Sequence, residues 1–373
     1  MTNVKTAYIG LGSNLGDRQD NIDRALVLLT KTENVRLLGK SEIIETSPLA
    51  ADNQPLYLNT VAGIETTLSA KELHKRVIDI EAGLGRSRNV KWAPRTIDMD
   101  ILLFAGDIIN QPDLIIPHPQ MHLRTFVLKG LCELNPALEH PVMKTSVKEL
   151  LERLNNNDFV PDSSRPELIS IAGVIGVGKS TLAEKLTKSL NCPLLPEPYD
   201  KNPFMPQVYA GKKELALDSQ LFFLTHRVEQ LNPAVLKGGQ LYVTDYVFDK
   251  ELIYANLQLN ELQLELYRKI YGSLKSNVTR PVLVIHLTDT VENCLERIRS
   301  RNRPYEQKIE TSFLNRLNDG YEKLFAQWNT SPVIRINASK LDYSDTARLE
   351  ALIDQVKCYT LVKSTWPIKS VKV

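Results

Sequence analysis

Two stretches of this chain carry residues whose types and spacing suit phosphate chemistry. In APRTIDMDI (93–101), Asp98 and Asp100 stand two apart inside an otherwise apolar run. Residues two apart on a strand share a face, so both carboxylates would point the same way and repel. Two readings answer that repulsion. The pair could lie on the wet face of an edge strand, salt-bridged to Arg86 or Arg95. It could instead share hard cations, since Mg²⁺ takes one or two carboxylates and completes its shell with phosphate oxygens and water. Arg86, Arg88, Lys91, Trp92 and Arg95 precede the pair, and IPHPQMHLRTF adds His118, His122 and Arg124 after it. Arginines in such a place would hold the remaining phosphate charge.

The second stretch, GVIGVGKST (173–181), fits G-x-x-x-x-G-K-[ST]. Its backbone N–H groups, from Gly173, Gly176 and Gly178 to Thr181 at the start of a helix, would form an anion cradle. Lys179 would reach the β- and γ-phosphates, and the Ser180 hydroxyl would ligate Mg²⁺. Downstream, CLERIRSRNRPYEQKI crowds Arg297, Arg299, Arg301 and Arg303 into one segment. On a helix leading into a loop they could close over transferring phosphates, and no N-K-x-D guanine signature accompanies them. A third glycine-rich stretch, GLGSNLG (10–16), misses the dinucleotide spacing by one residue and reads as a tight turn before a helix.

The elements that must position these residues follow from periodicity. TAYIGLGS, YLNTVAGIET and TIDMDILLFA read as strands. A helix is expected from about Asp20 to Lys31 with Ile22, Ala25, Leu26 and Leu29 on one face. SAKELHKRVIDIEAGLG reads as a helix whose N-cap is Ser69, with Glu72 completing a capping box. The mixed order predicts an α+β sandwich, helices on a partly antiparallel sheet, for the first half. In the second half ELISIAG, LYVTD, PVLVIHL and PVIRIN alternate with long helical stretches, which predicts an α/β domain with a doubly wound parallel sheet. Between them NNNDFVPDSSRPE is polar and aperiodic. The expected division is a first domain over 1–157, a linker over 158–166 and a second domain over 167–373.

The chain's 373 residues exceed one ordinary core, and its 43% hydrophobic and 24% charged content is that of a globular protein. A net charge of +2 argues against nucleic acid as the main partner. No apolar run approaches bilayer-spanning length, and the N-terminus lacks the apolar core of a secretory signal, so a cytoplasmic protein without membrane association is expected. Four scattered cysteines without a CxxC pair read as reduced thiols.

Residues 5–150 resemble 6-hydroxymethyl-7,8-dihydropterin pyrophosphokinases of folate biosynthesis. The match runs through AYIGLGSNLGDR, ETSPL, QPLYLN, IE-x-x-x-GR-x-R, W-x-PRT-x-D-x-DI and PHP-x-M-x-x-R-x-F. The resemblance implies a ferredoxin-like αβ sandwich that transfers pyrophosphate from ATP to the pterin hydroxymethyl group and releases AMP. It implies that Asp98 and Asp100 ligate two Mg²⁺ ions bridging the ATP phosphates, and that Arg86, Arg88, Trp92 and Arg95 form the mobile, phosphate-binding side. Glu81, His118 and Arg124 become ATP contacts. Thr46, Leu49, Tyr57, Asn59 and Phe126 become the pterin pocket, a flat ring being held by stacking and a few fixed polar groups.

About residues 167–357 resemble the deoxynucleoside kinase family. The P-loop, PEPYDKNPF with Glu197, Tyr209, SQLFFLTHR with Gln220 and Arg227, and R-I-x-x-R-x-R-x-x-E carry the match. The resemblance implies ATP-dependent phosphorylation of a deoxynucleoside 5′-OH. Glu197 would be the general base, Tyr209 and Glu306 would hold the sugar 3′-OH, and Gln220 would bind the base edge. Arg227 would sit near the 5′-OH and base, and Arg297, Arg301 and Arg303 would form the lid. A homodimer through the second-half helices is also implied. One departure stands out. The family's acid–arginine–serine motif is replaced by TDYVFDK, so Asp245 is the nearest acid for Mg²⁺ and Tyr246 stands where the arginine would be. Asp249 and Lys250 fall where family members often contact the base. The alternative expectation makes the second half a regulatory nucleotide-binding module or a nucleoside monophosphate kinase.

Overall fold

The structure, a computed structural model, describes residues 4–31, 33–49, 54–86, 94–341 and 345–361. These residues form two compact units, the first ending at Val160 and the second starting at Pro161. Among them, no helix is long and apolar enough to cross a membrane.

The first unit runs β1 (Lys5–Ser13), α1 (Arg18–Thr30), β2 (Val35–Lys40), β3 (Ile44–Thr46), β4 (Tyr57–Thr66), α2 (Ala70–Gly83) and β5 (Asp98–Phe104). A hairpin of β6 (Ile109–Gln111) and β7 (Leu114–Ile116) follows, then α3 (Thr125–Leu134), a small pair β8 (Glu139–His140) and β9 (Thr145–Ser146), and α4 (Val147–Leu154). The main sheet has the order β2-β4-β1-β5, with β3 beside the Tyr57 end of β4. This is the split βαβ plan of a ferredoxin-like sandwich. Every pairing in that sheet is antiparallel, where only a part was expected to be.

Local chemistry explains the helices. The Asp17 side chain accepts the Asp20 N–H at 3.0 Å, so α1 starts earlier than its apolar periodicity suggested. Ile22, Ala25, Leu26 and Leu29 are buried with Ile9, Leu11, Ile64 and Met99 in one core between the sheet and helices α1 and α2. Ser69 and Glu72 form the expected capping box on α2. Helix α3 covers the other face, and it sits close because of Gly130: a Cβ there would lie 2.6 Å from Val61 Cγ2. The stretch 157–160 docks on this unit, with Phe159 N–H donating to the Leu123 carbonyl at 3.1 Å.

The second unit runs β10 (Glu167–Ala172), α5 (Lys179–Leu190), β11 (Leu194–Leu195), α6 (Met205–Tyr209), α7 (Ala216–Gln230), β12 (Leu241–Thr244), α8 (Lys250–Gln258) and α9 (Glu261–Leu274). It ends with β13 (Leu283–Thr288), α10 (Val291–Arg301), α11 (Thr311–Ala326), β14 (Val333–Asn337) and α12 (Thr346–Cys358). The sheet order is β11-β12-β10-β13-β14, all parallel. The chain leaves β10 toward one side and later crosses to the other, so β10 marks the switch point of a doubly wound sheet. Ligands bind such sheets at the strands' carboxyl ends. The P-loop follows β10 there, and Asp245 follows β12.

Candidate active sites

In the first unit the site grows from the pairing of β1 with β5. Gly12 lies opposite Asp98 and Gly10 opposite Asp100. At those positions β1 carries no side chain beside the carboxylates. The GLGSNLG stretch is therefore mostly strand, and only its end turns toward α1. A Cβ at Gly12 would meet Asn59 Oδ1 at 2.7 Å, so Gly12 also makes room for Asn59. Asn59 donates to Thr46 Oγ1 at 2.8 Å and is buried.

A cavity of about 360 Å³ results. Its walls include Thr46, Leu49, Tyr57, Asn59 and Phe126 on one side and Arg86, Arg95, Asp98, Asp100, His118 and Arg124 on the other. The sequence had named all of these. Arg86 Nη2 meets Asp98 Oδ1 at 2.7 Å and Arg95 Nη1 meets Asp98 Oδ2 at 2.5 Å. The edge-strand salt bridges and the shared carboxylate face thus coexist. Asp100 is more exposed, 4.0 Å from His118 Nε2. Burial and the neighbouring Asp100 charge push Asp98 above its usual pKa, against the pull of Arg86 and Arg95.

Glu81 does not reach the cavity. It is buried, pairs with Arg86 and accepts the Met99 N–H at 2.8 Å, so it props Arg86 and β5 from behind. Arg88 and Trp92 lie outside the described residues. The sequence reading missed Asn14, whose Oδ1 accepts the Arg95 N–H at 2.6 Å and whose N–H donates to the Arg95 carbonyl at 3.1 Å. That double bond sets Arg95 beside Asp98.

In the second unit the loop from Gly173 to Gly178 wraps the start of α5. Gly173 (φ +136°) and Gly176 (φ +82°) adopt left-handed backbone, and a Cβ on either would sit 2.4 Å from a carbonyl oxygen. Lys179 Nζ donates to the Gly173 and Val174 carbonyls at 2.9 and 2.8 Å, and burial lowers its pKa to about 8. Ser180 Oγ donates to Asp245 Oδ2 at 2.6 Å, and Asp245 Oδ1 accepts the Glu197 N–H at 2.8 Å. Despite its shifted register, Asp245 joins the P-loop hydroxyl to the Glu197 segment.

Helical spacing builds the rest of the wall. Gln220, Phe223 and Arg227 lie on one face of α7, and Lys250, Tyr254 and Gln258 on one face of α8; all line one cavity. Glu197, Tyr209, Arg301, Arg303 and Glu306, all named from the sequence, complete the lining. Five cations (Lys179, Arg227, Lys250, Arg301, Arg303) face three carboxylates (Glu197, Asp245, Glu306), an excess that suits phosphate. Burial opposes ionisation of Glu197, yet Lys250 and Arg227 hold its pKa down to about 2. Burial and then Glu306 raise the Tyr209 phenol. Arg301 and Arg303 both pair with Glu306.

Two residues differ from their expected places. Arg297 is not on the cavity wall; it pairs with Asp289 at 2.5 Å and reaches the Gly176 carbonyl at 3.3 Å. Asp249 is not near the base side; it pairs with Arg280 at 3.0 Å. Gln258, which the sequence reading did not single out, takes the cavity position and accepts from Gln220 Nε2 at 2.9 Å.

The folds and sites together define a phosphotransferase with two separate centres. One centre relies on paired carboxylates and arginines, the other on a P-loop. Comparison with known proteins identifies each. Residues 8–136 match the model of 7,8-dihydro-6-hydroxymethylpterin-pyrophosphokinase, and residues 169–362 match that of deoxynucleoside kinase. A 2-amino-4-hydroxy-6-hydroxymethyldihydropteridine pyrophosphokinase of Bacillus subtilis (strain 168) is 43% identical over 139 residues, 37% of this chain and 82% of that protein. A deoxyguanosine kinase of the same organism is 34% identical over 199 residues, 50% of this chain and 96% of that protein. A pterin pyrophosphokinase of Haemophilus influenzae is 41% identical over 155 residues, 42% of this chain and 96% of that protein. The chain belongs to both families and is a bifunctional enzyme, a hydroxymethyldihydropterin pyrophosphokinase fused to a deoxynucleoside kinase. Both families use ATP as co-substrate and typically Mg²⁺. The regulatory-module and monophosphate-kinase alternatives are not favoured.

Proposed function

We propose that the second centre prefers deoxyguanosine. One observation carries this reading. Arg227 Nε is buried on the cavity wall with no hydrogen-bond partner among the described residues. A buried N–H left unpaired costs about 1–3 kcal/mol, which an acceptor on a ligand reaching it would relieve. Gln258 accepts from Gln220, which leaves a Gln258 amide N–H and the Gln220 carbonyl to face a base. Guanine meets these groups with O6 and N7 acceptors and an N1–H donor, and adenine meets them with N7 and N1 acceptors and an amino donor, so they select a purine. The likeness to a deoxyguanosine kinase then points to guanine. Assay of the full chain with ATP and four deoxynucleosides tests it. Deoxyguanosine should give the highest kcat/KM; a higher value with any of the other three deoxynucleosides would overturn the reading.

In the same centre Glu197 takes the 5′-OH proton, Tyr209 and Glu306 hold the 3′-OH, and Ser180 with Asp245 supplies the metal side. In the first centre Thr46, Leu49, Tyr57, Asn59 and Phe126 hold the pterin, while His118, Arg124 and the arginines hold ATP. The donor set fits two Mg²⁺ ions: Asp98 and Asp100 are hard oxygen ligands on one face, and burial together with the Asp100 charge raises the Asp98 pKa, a cost that cations relieve. Bound there, Mg²⁺ would draw negative charge from the ATP phosphates. Arg86 and Arg95, already in place, neutralise what remains. A homodimer through the second unit is supported by α9, which exposes Leu262 and Leu266 one turn apart.

A further inference from the structure

Glu197 is gripped from two sides. Arg227 holds Oε1, and Lys250 Nζ lies 2.6 Å from both Oε1 and Oε2. Lys250 stands in the first turn of α8, is 3% exposed and lines the same cavity as Lys179, Ser180 and Arg301. Arg227 has a second carboxylate of its own, Glu251. Glu197 therefore already has one cation that is anchored elsewhere, and Lys250 is a further one. An ammonium group has three N–H donors. Two serve Glu197, and the third has no hydrogen-bond partner in the protein among the described residues. The position after Asp245 holds Tyr246, whose ring packs under Arg227 and 6.0 Å from Lys250 Nζ, so no cation enters from there.

The geometry points to Lys250 as a catalytic residue of the deoxynucleoside kinase centre, donating its third N–H to the substrate 5′-oxygen and to the phosphoryl group it receives. This rests on the deoxynucleoside kinase reading of the second unit. The 5′-O–H proton passes to Glu197 and a bond forms between the 5′-oxygen and the γ-phosphorus. The bond from that phosphorus to the β-bridging oxygen breaks, and ADP leaves with its electron pair. As Glu197 takes the proton, negative charge moves from its carboxylate to the phosphoryl oxygens. Lys250, already touching the carboxylate and free to donate once more, follows that charge over a short distance. Such a donor acts on charge that develops in the transition state and not on ground-state binding.

Full-chain Lys250→Met and Lys250→Arg, with the parent, test this with ATP and deoxyguanosine. Lys250→Met should lower kcat for ADP formation by about 10²-fold or more, with KM for ATP and nucleoside changed by no more than about threefold. Lys250→Arg should restore kcat to within about tenfold of the parent. A merely structural lysine would instead raise KM or lower the melting temperature and leave saturated kcat intact. A Lys250→Met kcat within about fivefold of the parent overturns the inference, as does a Lys250→Arg variant no faster than Lys250→Met. Should Lys250→Met not fold by circular dichroism, Lys250→Gln, which keeps a hydrogen bond to Glu197 without charge, is read by the same criteria. If the parent forms no ADP with any deoxynucleoside, the kinase reading fails. If the parent turns over and the variant matches it, only the role of Lys250 fails.

Discussion

Glu251 never touches the cavity, yet the second centre depends on it. It is fully buried, pairs with Arg227 Nη1 and accepts the Tyr267 O–H. Two cations, Arg227 and Lys250, are balanced there by two carboxylates, Glu197 and Glu251. Glu251→Gln keeps the shape and still accepts from Tyr267 but removes one negative charge, so the buried group carries an uncompensated positive charge. Breaking a buried ion pair by neutralising one partner costs about 3–5 kcal/mol. For a unit of this size each kcal/mol moves the melting temperature by about 2–4 °C, so a fall of about 6–20 °C is expected. The ADP-forming activity of the full chain, measured after graded heating, reads this directly. In the variant that survives, KM for the deoxynucleoside should rise about tenfold, because Arg227 loses the partner that aims it at the base, one charge-assisted hydrogen bond. A variant that loses activity within about 2 °C of the parent, with an unchanged KM, would refute the reasoning.

Other outcomes follow from the first unit. Burial lowers the His140 pKa to about 4, below its ordinary 6.5, so the unfolded chain binds the extra proton between those values. Stability conferred by neutral His140 is complete above about pH 6.5 and is lost as pH falls toward 4, a loss of up to about 3 kcal/mol. Denaturant titrations at pH 7 and pH 4.5 should show a smaller drop for His140→Gln than for the parent; equal drops would contradict this. Gly12→Ala forces a Cβ onto Asn59 Oδ1, so the pterin KM should rise while the ATP KM holds, as steady-state AMP formation would show. Gly130→Ala overpacks α3 against Val61 and should cost about 1–3 kcal/mol by chemical denaturation.

Much of this was legible because the signals are local. The capping box at Ser69, the apolar face of α1, the P-loop and the alternation around Asp98 and Asp100 all depend on residues a few positions apart. What stayed hidden depends on pairing across the chain. Gly10 and Gly12 fall both in the expected strand TAYIGLGS and in the glycine-rich stretch read as a turn, and nothing nearby says that β5 will place two carboxylates opposite them. Glu81 carries a charge suited to a ligand, but the fold puts it behind β5, bonded to Met99. Asp249 and Lys250 are neighbours in sequence, yet the start of α8 turns one toward Arg280 and the other toward Glu197. Gln258 became visible only when its helix face met Gln220.

The central claim is that one chain carries two separate phosphotransfer centres. The most direct test gives the full chain ATP, 6-hydroxymethyl-7,8-dihydropterin and deoxyguanosine together and quantifies AMP and ADP. Asp100→Ala should lower AMP formation by on the order of 10³-fold and leave ADP formation within about twofold, and Lys179→Met should do the reverse. Loss of both products in either folded variant, or persistent AMP formation by Asp100→Ala, would contradict the account.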